Sequence, residues 1–95
     1  MRVIDRKTID NFIRKHPDAK SSIESWYQEA LDSFWKNTMD IKNRYASASF
    51  LGDNYVIFNI KGNSYRLVTK VAYKRQTVLI KWIGTHAEYS KKKFP

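Results

Sequence analysis

The spacing of apolar positions changes character along the chain. Arg2-Val3-Ile4 is short and β-branched, and Asp5 follows as a helix N-cap, with Ile9, Phe12 and Ile13 at helical spacing behind it. This predicts a brief strand and then a helix of about three turns, ended by Pro17, which suits the first turn of the next helix. There Ile23, Trp26, Tyr27, Ala30, Leu31 and Phe34 form one apolar stripe, widened by Trp35, with Lys20, Glu24, Glu29, Asp32 and Lys36 off it. Residues 37–54 show no sustained period and read as a long irregular connection. From Val56 to Tyr89 the pattern turns to short runs of Val, Ile, Tyr, Phe and Trp, broken at Gly62-Asn63 and Arg75-Gln76, which predicts a three-stranded antiparallel meander. A small sheet must bury one face, so the two helices are expected to lie across it as an α-hairpin, giving an α+β architecture in one domain, residues 1–95.

The turns set a register. A two-residue Gly62-Asn63 turn pairs Asn59 with Arg66, Ile57 with Val68 and Tyr55 with Lys70. A two-residue Arg75-Gln76 turn pairs Ala72 with Leu79, Lys70 with Lys81, Val68 with Ile83 and Arg66 with Thr85. On this reading Val56, Phe58, Ile60, Tyr65, Leu67, Val71, Tyr73, Val78, Ile80 and Trp82 face the helices. The opposite face carries Tyr55, Asn59, Lys61, Arg66, Lys70, Lys81 and Thr85 around a strip of Ile57, Val68, Ile83, Ala72 and Leu79, an arrangement suited to phosphate.

Charge sharpens this picture. The net charge of +9 is concentrated after residue 50, where nine Lys/Arg face two acids, against nine and seven before it. A polyanionic partner is expected, since neutralised phosphates release counterions and steer association. The chain has no cysteine, which removes disulfides, thiolate catalysis and Cys-based zinc sites and fits a reducing compartment. The only histidines, His16 and His86, are far apart in sequence, so no metal or other cofactor is expected. No apolar run approaches the ~18–20 residues that span a bilayer, and no signal-peptide core follows Met1, so a cytoplasmic protein without membrane contact is expected.

Among the basic residues, Arg66 stands out, because a planar guanidinium on a central strand suits bidentate contact to phosphate. His86, just past the last strand, is of the one side-chain type whose unperturbed pKa lies near neutrality, which suits acid/base work. Tyr89 lies close to one helical turn beyond it and shares its side if Thr85 caps a short terminal helix; there it would stack on a base, donate to phosphate or pack on the sheet. Lys91, Lys92 and Lys93 read as a solvated run that adds affinity for RNA. His16, before Pro17, reads as a capping or surface residue. RNA cleavage fits such a set, because the substrate's own 2′-hydroxyl is the nucleophile; the protein need only align it, take its proton and neutralise the phosphorane. A non-catalytic RNA- or DNA-binding module, serving as subunit of a regulatory complex, is the alternative.

Phe58-Asn59-Ile60-Lys61-Gly62-Asn63-Ser64-Tyr65-Arg66-Leu67, followed by Ile80-Lys81-Trp82-Ile83-Gly84-Thr85-His86-Ala87-Glu88-Tyr89, resembles the HigB family of type II toxin–antitoxin toxins within the RelE superfamily. Met1-Arg2-Val3-Ile4 and Arg6-Lys7-Thr8-Ile9 are similar too, so the resemblance covers nearly the whole chain. It implies a RelE-like fold and an mRNA interferase, an endoribonuclease that cleaves mRNA, usually on the ribosome, and arrests translation. A HigA-type helix-turn-helix antitoxin is implied as the partner that inhibits it. Arg66 matches the superfamily's strand arginine at the scissile phosphate, His86 falls where these toxins carry a catalytic basic residue, and Tyr89 falls near their C-terminal functional aromatic. Asn59 and Ile57 stand where superfamily members place further lysines, leaving Lys61 near the turn. The expected roles are acid/base for His86, charge stabilisation for Arg66, orientation or stacking for Tyr89, and RNA binding for Lys61, Lys70, Lys81, Asn59 and the three tail lysines.

Overall fold

A computed structural model describes residues 1–94. The elements run β1 (Arg2–Ile4), α1 (Arg6–Lys15), a 3-10 turn (Pro17–Ala19), α2 (Lys20–Asp32), α3 (Thr38–Arg44), β2 (Ser49–Phe50), β3 (Tyr55–Ile60), β4 (Tyr65–Ala72), β5 (Thr77–Thr85) and α4 (His86–Ser90). Asp5 caps α1 as expected, its carboxylate accepting the Thr8 amide at 3.0 Å. The expected α+β, RelE-like arrangement is present, with helices on one face of the sheet and a short C-terminal helix. The sheet itself is larger than the predicted meander. Its order is β1-β5-β4-β3-β2, with β1 parallel to β5 and the remaining pairs antiparallel.

Helical periodicity and sheet alternation meet in one core. Ile9, Phe12, Ile23, Trp26 and Ala30 pack against Val56, Phe58, Ile60, Leu67, Val71 and Val78. Phe58 is its centre, with Trp26, Trp35 and Tyr45 rings at 5.3, 6.0 and 5.1 Å. The predicted stripe on α2 runs one turn too far. The helix stops at Asp32, and Phe34 beyond it is 78% exposed, while Leu31 sits at the margin of the core.

The segment 37–54 is more ordered than its pattern indicates. Asn37 caps α3, accepting the Asp40 amide, and the helix plants Ile41 in the core. The chain then adds β2 beside β3. The Glu29 carboxylate takes the Tyr45 hydroxyl and the Arg44 guanidinium, tying α3 to α2. Burial opposes ionisation of Glu29, and those two partners outweigh it, so its carboxyl stays below the usual value.

The first hairpin has the predicted register, Asn59 opposite Arg66 and Ile57 opposite Val68. The second does not. Its turn is centred on Lys74-Arg75 rather than Arg75-Gln76, closed by the Gln76 amide on the Tyr73 carbonyl, with Gln76 at φ +49. Ala72 therefore faces Thr77 and Lys70 faces Leu79. Further along, Lys81 is an extra residue in β5, a β-bulge that shifts the pairing by one and reverses the faces beyond it. Ile83 turns toward the helices opposite Leu67, and Trp82 turns to the outer face opposite Val68. Arg66 lies opposite Gly84, not Thr85. No helix among the described residues is long and apolar enough to cross a membrane.

Candidate active site

The outer end of β4 and β5 gathers the residues of chemical interest. Thr85 ends β5 and caps α4 through a complete capping box: its hydroxyl accepts the Glu88 amide at 3.1 Å, and Glu88 Oε1 accepts the Thr85 amide at 2.8 Å. These hydrogen bonds hold the Glu88 carboxyl below its usual range, helped by nearby Lys15. The cap puts His86 at the first position of the helix, and its amide donates to the Ser64 carbonyl at 3.2 Å, fastening it to the start of β4.

From there the imidazole reaches Arg66. Their Nε2 and Nη2 atoms are 2.8 Å apart. A guanidinium has no acceptor, so Arg66 donates and Nε2 accepts, which makes the imidazole neutral with its proton on Nδ1. Among the described residues Arg66 forms no ion pair, and its Nε is buried without a hydrogen-bond partner. Tyr89 covers the other side, its ring centre 4.9 Å from the guanidinium carbon. Arg66, His86 and Tyr89, the three residues singled out from sequence, thus stand in one cluster. A cation without a carboxylate beside a neutral imidazole can take a phosphate and leave Nε2 free to accept a proton.

The surrounding residues divide. Lys70 lies on the same face, about 13 Å along the strand from Arg66, with its ammonium 5.6 Å from the Tyr55 ring. Asn59 is opposite Arg66, but its amide donates to the Ser47 carbonyl at 3.3 Å. Lys81 is exposed on the bulge. Lys61 is drawn away: its ammonium pairs with Asp18 at 2.9 Å, and the Tyr65 hydroxyl donates to the same carboxylate at 2.7 Å. Of the tail, Lys91 and Lys92 line a cleft beside α1, with Lys92 5.6 Å from the Trp82 ring, while Lys93 is exposed. His16 ends α1, and its ring packs 4.9 Å from Phe12 and 5.0 Å from Tyr65.

Trp82 is the site residue that the sequence pattern misassigned. Its ring lies 6.2 Å from Tyr89 and 5.9 Å from Phe94, making an aromatic cluster that reaches Arg66 through Tyr89. Gly84 makes room for it. A Cβ there would stand 2.6 Å from the indole and 2.8 Å from Glu88 Oε1. Trp82 two residues before Gly84 is visible in sequence, but only the bulge turns Trp82 outward. Among the described residues no group of three His, Asp or Glu side chains is placed to hold a metal ion.

The Asp18 pair makes a prediction about acid stability. The hydrogen bond from Lys61, then that from Tyr65, lowers the Asp18 carboxyl below its usual value. A depressed native value stabilises the fold above the unfolded value and is lost as pH falls through the native one. Melting temperature should therefore drop below about pH 4, and Asp18→Asn should flatten the drop in that range. Thermal denaturation across acid pH measures both.

The family profile for HigB_toxin, described as the RelE-like toxic component of a toxin–antitoxin system, matches residues 19–92. The mRNA interferase toxin HigB of Escherichia coli K12 is 25% identical over 91 residues, covering 94% of this chain and 88% of that one. The mRNA interferases HigB of Escherichia coli O157:H7 and Shigella flexneri align to the same extent.

Proposed function

Since this chain belongs to the HigB toxin family, the RelE-like toxic components of toxin–antitoxin systems, we propose that it is an endoribonuclease acting on mRNA, with Arg66 and His86 as its working pair. The relatives named mRNA interferases support the reaction. The observation that carries the site is the 2.8 Å contact between an arginine without a carboxylate partner and a neutral imidazole.

In this reading the scissile phosphate displaces His86 from Arg66, whose N–H fork matches phosphate oxygens. Nε2 of His86 then accepts the proton of the 2′-hydroxyl. The 2′-oxygen attacks phosphorus, the bond from phosphorus to the 5′-oxygen breaks, and Arg66 balances the charge of the phosphorane. The departing 5′-oxygen takes a proton from solvent, and His86 returns its own, leaving a 2′,3′-cyclic phosphate and a 5′-hydroxyl. Tyr89 holds the guanidinium from behind and offers its rim to a base. Lys70, Lys81, Asn59 and the tail lysines grip the backbone, whereas Lys61 contributes only if its pair with Asp18 opens.

Membership of a toxin–antitoxin system implies an antitoxin. We assign it to the HigA type with a helix-turn-helix domain, and the substrate to mRNA on the ribosome in the cytoplasm. The reaction has a direct test. An RNA with one 2′-deoxynucleotide at the cleavage position should stay intact there while other positions are cut, because the nucleophile is gone. Cutting at the deoxy position with equal efficiency would refute 2′-hydroxyl attack, and no cutting anywhere would favour the non-catalytic binding module.

A further inference from the structure

A cleft of about 610 Å³ lies between α1, the end of β5 and the residues after α4. Trp82 lines it, and the Trp82 ring lies 6.2 Å from the Tyr89 ring that in turn covers Arg66, so the cleft and the candidate active site are joined through these two rings. We infer that this cleft is a second RNA subsite, one that takes a nucleotide flanking the scissile phosphate; the inference rests on the ribonuclease reading.

The lining chemistry argues for a nucleotide rather than a simple anion. Lys15 from α1 and Lys92 from the tail supply cations at two walls. Trp82, half-buried, supplies an apolar ring, and stacking on such rings is how proteins hold unpaired bases; the edge of buried Phe12 closes the floor. Glu88 and Asn11 then stand among these cations. A bare anion site is weakened by a carboxylate in its wall. A nucleotide is not, because its phosphate meets the lysines while its base offers N–H groups to an acceptor. A carboxylate only accepts, so the edge facing Glu88 must donate: guanine presents two adjacent N–H groups and uracil one. The cleft's size is ordinary for a small-ligand site and exceeds what a single phosphate fills.

Geometry also explains why the cleft is open. Gly84 leaves the space into which the indole and the Glu88 carboxylate fit, and the capping box fixes Glu88 there. Lys15 and Asn11 are exposed residues of α1 that line the cleft, whereas the partners of Arg66 are His86 and Tyr89, so substitutions at 11 and 15 report on the cleft.

The test uses His86→Ala protein, in which cleavage is expected to be slowed, and measures binding of a labelled RNA dinucleotide and of a tetranucleotide containing the same central step. The tetranucleotide should bind about tenfold tighter, the scale of one base on an aromatic ring. Adding Lys15→Glu should remove most of that advantage while leaving dinucleotide affinity within about twofold, and Asn11→Ala should act in the same direction. Equal affinity for the two lengths, equal loss for both, or no binding of either overturns the subsite. So does competition by polyglutamate as strong as that by RNA. Cleavage of mRNA by the wild-type protein, assayed in parallel, reports separately on the ribonuclease reading.

Discussion

Alanine at position 86 lowers the rate of RNA cleavage by about 10²–10⁴-fold, the range that a positioned general acid or base contributes. The expectation follows from the place of the imidazole. Its Nε2 is an acceptor held 2.8 Å from a guanidinium, and once a phosphate engages that guanidinium the lone pair has no competing partner. The side chain is exposed, and the bond from the residue-86 amide to Ser64 belongs to the main chain, so the substitution leaves the fold and most RNA affinity in place. Single-turnover cleavage and RNA binding measured on the same preparation separate these effects. Loss of binding in step with cleavage would mean that His86 grips the substrate rather than acting on its proton.

Substitution of Arg66 comes next in size. Arg66→Ala should slow cleavage by about 10²–10³-fold, as removal of one charge-stabilising donor does in other acyl and phosphoryl sites. Arg66→Lys should recover part of this and not all. A lysine keeps the charge but loses the planar fork and the flat contact with Tyr89, whose ring lies 4.9 Å from the guanidinium carbon. Since Arg66 forms no ion pair among the described residues, neither change should disturb folding, and the melting temperature provides that control. Full activity in Arg66→Lys would show that a point charge suffices and that bidentate recognition plays no part.

What the sequence made legible follows from how local each signal is. The Asp5 cap, the Gly62-Asn63 turn and the α2 stripe as far as Ala30 are written in neighbouring residues, and the structure has each of them. Gly62 takes φ +62, a conformation its lack of a side chain allows, so the first hairpin announces its own register. The second hairpin uses Gln76 in a left-handed conformation and an extra residue at Lys81, neither marked by residue type. That is why Trp82 and Ile83 were assigned to the wrong faces. Helix α3 has only seven residues, too few for a periodic pattern to emerge, although Asn37 three positions before Asp40 is a cap signal.

The site was legible to a similar degree. Arg66 and His86 were identified by chemistry, and the Thr85 cap that places Tyr89 beside them is a local signal carried by Thr85 and Glu88. Lys61 was assigned to RNA because its strand position faces outward. Its actual partner, Asp18, is 43 residues earlier, and no local pattern reveals such a pair. Trp82 as part of the site wall required the bulge, and the α1 cleft required two distant segments to meet.

The most direct measurement is mapping of new 5′ ends on an mRNA incubated with wild-type, His86→Ala and Arg66→Ala protein, with and without programmed ribosomes. Discrete cuts by the wild type on ribosome-bound mRNA, ending in 5′-hydroxyls, are expected, and none above background with either variant. Equal cutting by His86→Ala would contradict the assignment of the working pair, and an uncut mRNA under every condition would contradict the enzyme itself.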